Sequence, residues 1–205
     1  SIEAAQIYAR GKDRQGYRFE VAPNRYAYYD EKGHAKERML IRTPLNFTRI
    51  SSQFNPRRKH PVLGYTKAHR GTDFAAPTGT PVWAAGDGVV EKRERWGAYG
   101  NYLRIRHANG YKSAYAHLSK YKRGLKVGDR VRQGDVVAYV GTTGRSTGPH
   151  LHYEILKNDV RVNAMKIKLP GGPALPGSKK SEFTRLAQNY QAKWNAAETR
   201  LASAN

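Results

Sequence analysis

The segment STGPHLHYE (146–154) carries two histidines separated by one leucine. In an extended strand successive side chains alternate between faces, so His150 and His152 point the same way, about 6–7 Å apart, while Leu151 points the other way. Taken alone, the pair fits either a metal site or the polar outer face of a strand. A second segment, AHRGTDFAAPTGTPV (68–82), places His69 four residues before Asp73. Gly71, the β-branched residues and Pro77 argue against a helix there, and even spacing on a strand sets both residues on one face. A straight strand would hold their Cα atoms about 13 Å apart, so a bend at Gly71 is expected to bring them to one centre. His117, in KSAYAHL, is a further candidate.

His69, Asp73, His117, His150 and His152 together supply four imidazoles and one carboxylate. This is the donor chemistry of zinc in a hydrolytic site, where about three N/O ligands leave one position for water. Two histidines would remain as general base and oxyanion stabiliser. Spacing alone does not divide the roles. Glu154 shares the face of His150 and His152 and could accept a hydrogen bond from a ligand imidazole; a charged residue ending a strand is the reading preferred here. His34, in the turn EKGH, and His60, in NPRRKHPVLG, read as solvated loop residues, and His107, before a hairpin turn, reads as structural. The chain has no Gly-rich phosphate loop, G-x-S-x-G elbow or H-E-x-x-H helix, which argues against kinases, serine hydrolases and helical zinc proteases.

The elements that must position these residues are strands. Residues 50–168 alternate turn signals with short β-branched runs such as PVWAA, GVVEK and DVVAYV, which predicts an all-β domain of hairpins. The clearest is YLRIRH-ANG-YKSAYAHL, with Asn109-Gly110 at its turn and His117 at the far end of its second strand. Upstream, YRFEV (17–21), RYAYYD (25–30) and RMLIR (38–42) predict a small β-meander. Downstream, PGGPALPGS (170–178) reads as a linker. Phe183, Leu186, Tyr190, Trp194, Ala197 and Leu201 then recur at the spacing of an amphipathic helix, expected to pack on its own domain. The expected organisation is an N-terminal β extension at 1–45, a catalytic domain at 46–170, and a linker with a C-terminal helix at 171–205.

Composition sets the surroundings. The 205 residues include 37 Lys and Arg against 16 Asp and Glu, a net charge of +21. That balance calls for a polyanionic neighbour such as nucleic acid, anionic membrane or cell-wall polymer. Nucleic acid is disfavoured, because no stacking motif or recognition helix accompanies the charge. There is no cysteine, so metal ligands must be His, Asp or Glu. No apolar run is long enough for a membrane span, and no signal-peptide pattern occurs.

At this point the residues resemble a family. AHRGTDFAAPTGTPVWAAGDGVV, GNYLRIRHANGYKSAYAHLS and VGDRVRQGDVVAYVGTTGRSTGPHLHYEI are similar, in order, to the signature blocks of the lysostaphin/LytM-type zinc metallopeptidases, peptidase family M23. The stretch from Tyr26 to Gly64 resembles the segment preceding the catalytic domain in the Gram-negative murein DD-endopeptidase branch. The resemblance implies a mainly β fold, an antiparallel sheet with a groove over one Zn²⁺ held by His69, Asp73 and His152. It implies that His117 and His150 activate water and stabilise the tetrahedral intermediate. WGAYG (96–100) and RRKHPVLG (57–64) are expected groove walls by position. It further implies peptidoglycan as partner and substrate, cleavage at the D-alanyl-diaminopimelate cross-link, a periplasmic or envelope location, and a regulatory envelope protein as a further partner. Cleavage of a Gly-Gly bridge, and a non-catalytic scaffold that binds peptidoglycan or activates an amidase, are the competing expectations.

Overall fold

The computed structural model describes residues 2–9, 12–36, 38–57, 68–172 and 174–203, which form two compact units: one from residues up to 39 together with those from 169 onward, the other from 40–168. His60 and the proposed wall residues 58–64 lie outside the described residues.

In the first unit three strands, β1 (Ala4–Ala9), β2 (Lys12–Ala22) and β3 (Arg25–Tyr29), form an antiparallel sheet in that order. Tyr17 pairs with Tyr29 and Phe19 with Ala27, so alternation puts all four on one face, where they are buried. The helix α1 (Lys180–Ser203) covers that face with Phe183, Ala187, Leu186, Tyr190 and Trp194. Phe183 meets Tyr17, Phe19 and Tyr29 edge-on, with centroids 5.4–6.0 Å apart. Ala197 is exposed, and the side chain of Leu201 lies outside the described residues. The meander differs from expectation in its third member. RMLIR is not a strand, because the amide of Met39 bonds to Pro170 O and that of Ile41 to Ala85 O, leaving no ladder to join. Instead β1, whose AAQIYA has a weak strand pattern, supplies the third strand.

The second unit consists of β4 (Arg49–Ser52), β5 (Thr72–Ala75), β6 (Pro81–Trp83), β7 (Gly88–Arg95), β8 (Asn101–Arg106), β9 (Tyr111–Tyr121), β10 (Arg130–Val131), β11 (Val136–Val140), β12 (His150–Lys157) and β13 (Val160–Val162). The sheet order is β10-β7-β8-β9-β12-β5-β4, with β11 joining β9 to β6 and β13 beside β12; every pair is antiparallel. The expected hairpin is β8–β9, turned by Asn109 and Gly110, both at positive φ. One face of β12 sends Leu151, Tyr153 and Ile155 into a core with Phe74, Leu103, Ile105, Tyr115 and Val140, all fully or almost fully buried. The opposite face carries His150, His152 and Glu154.

His117 is not at a strand end. It sits where β9 changes partner: Ala116 pairs with His152 of β12, and Leu118 pairs with Val140 of β11. Three steps on β9, from Tyr115 to Leu118, oppose two on β8, from Leu103 to Asn101, so a bulge falls here, with His117 at φ 60°. A non-glycine residue in that region is costly unless its surroundings hold it, and such positions gather at functional sites.

Candidate metal centre

Register builds the centre. Asp73 on β5 stands directly opposite His152 on β12, so the two side chains share a face at neighbouring positions. His69 lies outside β5, on an isolated bridge in which its amide and carbonyl exchange bonds with Asn55. The interruption at Arg70–Gly71 supplies the expected bend, and Gly71 serves by its small size. A Cβ there would come within 2.5 Å of His152 Cε1 and 2.8 Å of the Tyr153 carbonyl. His152 therefore occupies the space a side chain at position 71 would take.

The donor atoms converge. His69 Nε2 lies 3.1 Å from Asp73 Oδ2, His152 Nδ1 lies 2.7 Å from Asp73 Oδ1, and the two imidazole nitrogens are 3.3 Å apart. One ligand atom from each residue falls within 4.8 Å of the others, a set that could hold a metal ion. His150 stands at the rim, Nε2 4.0 Å from Asp73 Oδ1, and the ring of His117 is 4.7 Å from that of His150 and 6.0 Å from that of His152. All five candidates thus lie in one cluster. His34 belongs to the other unit, where it is exposed beside Asp30.

Hydrogen bonds to fixed acceptors decide which nitrogen each ring presents. A backbone carbonyl only accepts, so His69 donates Nδ1–H to Gln53 O at 2.8 Å, His150 donates Nδ1–H to Gly148 O at 2.8 Å, and His117 donates Nδ1–H to Thr143 O at 2.8 Å. Each then offers Nε2. His152 is reversed: its Nε2 donates to Glu154 Oε1 at 3.1 Å, and Nδ1 faces Asp73. Two borderline imidazole nitrogens and one carboxylate oxygen, with orienting acceptors behind the imidazoles, fit Zn²⁺.

The charges agree with that arrangement. Burial alone would raise the Asp73 carboxyl, but hydrogen bonds from His152 and His69 outweigh it and hold the group well below the usual carboxylate range. Burial would lower His152, yet its bonds to Asp73 and Glu154 push it up to about 9. Two carboxylates facing one imidazole favour positive charge at this point. His117 is pushed below the ordinary histidine value, chiefly by burial.

Glu154 departs from the sequence expectation. β12 runs on to Lys157, so Glu154 is not at its end, and its side chain is 1% exposed. The missed signal was the apolar pair Ile155-Leu156 after Glu154, which extends the strand beyond the charge. Tyr99, in a 3-10 turn at Gly97–Tyr99, brings its ring to 5.6 Å from the ring of His152, so the WGAYG segment does border the centre.

Residues 67–164 match the model of peptidase family M23. The chain is 51% identical over 166 residues to the peptidoglycan DD-endopeptidase ShyC of Vibrio cholerae, covering 81% of this chain and 38% of ShyC. It is 39% identical over 203 residues to ShyA of the same organism, covering 98% of this chain and 46% of ShyA. The crystal structure of a zinc containing peptidase from Vibrio cholerae superposes with a TM-score of 0.63 at 41% identity, over 83% of this chain and 51% of that one. The chain spans less than half the length of ShyC and ShyA. With the His-Asp-His group inside the matched segment, the chain belongs to peptidase family M23.

Proposed function

We propose that this chain is a zinc-dependent endopeptidase that hydrolyses peptide cross-links of peptidoglycan, with the D-alanyl-diaminopimelate bond as its target. The observation that carries the reading is the convergence of His69, Asp73 and His152 with His150 and His117 beside them. ShyC and ShyA, by name, act on the same polymer. His69 Nε2, Asp73 and His152 Nδ1 would hold the zinc. Bound there, the ion supplies Lewis acidity, lowering the pKa of water from about 15.7 towards 7 and polarising the scissile carbonyl. The remaining steps belong to this chain's own groups. His117 and His150, tethered through Nδ1–H, each present a lone pair at Nε2 that can take the proton of the attacking water. The imidazolium so formed donates back to the carbonyl oxygen as that oxygen gains charge, and then to the departing amine. We assign this chemistry to residues 46–170. An envelope location follows from the substrate, and the positive charge would concentrate the enzyme on an anionic wall.

The test is incubation with defined cross-linked muropeptide dimers, with and without chelator, followed by mass spectrometry. Chelator-sensitive conversion to monomers, with masses that place the cut at the D-alanyl-diaminopimelate link, is the expected result. Survival of the dimers with zinc present would overturn the reading in favour of a Gly-Gly target or a non-catalytic scaffold.

A further inference from the structure

The Glu154 carboxylate is buried with both oxygens engaged. Oε1 accepts from His152 Nε2 at 3.1 Å and from the Tyr99 hydroxyl at 2.9 Å; Oε2 accepts from Arg161 Nε at 2.7 Å. Arg161 Nη2 closes the ring to the Tyr99 hydroxyl at 3.4 Å. These donors come from three elements: His152 from β12, Arg161 from β13 and Tyr99 from the 3-10 turn. Rotation of the carboxylate therefore breaks at least one charge-assisted bond in a water-poor setting, where such a loss is costly. With the carboxylate fixed, the proton on His152 stays at Nε2 and the imidazole plane is set.

On the reading that His152 is a metal ligand, we propose that Tyr99 and Arg161 are positioning residues for it, acting through Glu154, and that the WGAYG turn is thereby tied to the metal centre. The tie reaches the surface. The Tyr99 ring stacks on Trp96 at 5.4 Å with planes 26° apart, and Trp96 is partly exposed. The aromatic wall on which an extended peptide would rest thus shares one hydrogen-bonded body with the ligand imidazole.

Zinc affinity measured by chelator competition tests this without reference to turnover. Glu154→Gln and Arg161→Met are expected to weaken zinc binding by about 10- to 100-fold, the usual effect of losing a group that orients a ligand. Tyr99→Phe, which removes one hydroxyl and leaves the packing, should weaken it in the same direction. It should have no further effect in the Glu154→Gln background, since both act on one carboxylate. Arg161→Lys should recover part of the loss, and the absorption of the Co²⁺-substituted protein should shift in each weakened variant. The melting temperature of each metal-free variant shows whether it folds, and Tyr99→Phe decides the matter if Glu154→Gln does not. Zinc affinities within twofold of wild type, or independent additive losses from Tyr99→Phe and Glu154→Gln, would overturn the proposal. If His152→Ala loses zinc while Glu154→Gln retains it, only the positioning claim falls; if His152→Ala retains zinc, the ligand assignment falls with it.

Discussion

Four histidines in one cluster are separated at the residue scale by what lies behind each ring. Changing His69, Asp73 or His152 to Ala should remove bound zinc, whereas His117→Ala or His150→Ala should abolish turnover and keep the metal; equal metal loss in both groups would contradict the division. Protons compete with zinc for imidazole, so metal content should fall as pH drops below about 6. A fifth histidine gives a separate pH effect. His107 donates Nδ1–H to Asp87 O at 2.8 Å and accepts a hydrogen bond from the Ser113 hydroxyl on Nε2 at 2.7 Å; Ser113 in turn accepts from Tyr115, which accepts from the Ala85 amide. Burial, outweighing the Asp87 carbonyl, pushes His107 below its ordinary value. The unfolded chain therefore binds a proton near pH 6.5 that the folded chain refuses, and stability present above that pH declines as pH falls through it. Denaturant midpoints of the metal-free protein from pH 7.5 to 5 should drop less steeply in His107→Gln than in wild type. The H-x-H convergence was legible because strand alternation is a local rule; the partners of Glu154 were not, since Arg161 and Tyr99 arrive from other strands and loops.

At the scale of elements, two glycine contacts and one bulge shape the centre. Gly71→Ala should push the His152 ring aside and cost most of the zinc affinity, which calorimetric titration with Zn²⁺ would show. Around His117, the Thr143 hydroxyl donates to Leu118 O at 2.8 Å and accepts from the Asn101 amide at 3.0 Å, while its carbonyl holds the imidazole. Gly100 and Gly144, both at positive φ, let these two loops touch backbone to backbone. Gly100→Ala would meet main-chain atoms of Thr143 in a strained conformation and is expected to destabilise by more than about 1 kcal/mol, read as a lowered melting temperature. The β8–β9 hairpin was legible from Asn109-Gly110. The bulge was not, because it arises from β9 serving two partners, a property of the assembled sheet.

On the scale of the whole molecule, segments far apart in sequence complete one another. The helix expected from its periodicity folds onto a meander more than 150 residues earlier, and only long-range pairing reveals that they form one unit. Phe183→Ala should cost that unit about 3–5 kcal/mol, the usual loss for a buried phenylalanine, measurable by thermal unfolding. The net charge of +21 was legible at once. Retention on isolated sacculi should weaken between about 0.1 M and 1 M salt as the screening length shrinks from about 10 to 3 Å, whereas retention indifferent to salt would assign binding to the groove alone. Among the described residues no helix is long and apolar enough to cross a membrane.

The opposed tautomers of His69 and His152 also make the two positions unequal for protein engineering. The amide oxygen of asparagine overlies an imidazole Nδ1, and that of glutamine overlies Nε2. Asparagine at 152 and glutamine at 69 would therefore return an oxygen donor to the vacated corner, while the exchanged choices would aim it wrongly. On the proposed assignment of His69 and His152 as zinc ligands, the centre could in this way be recast with harder oxygen ligands, one corner at a time, to accept ions such as Mn²⁺.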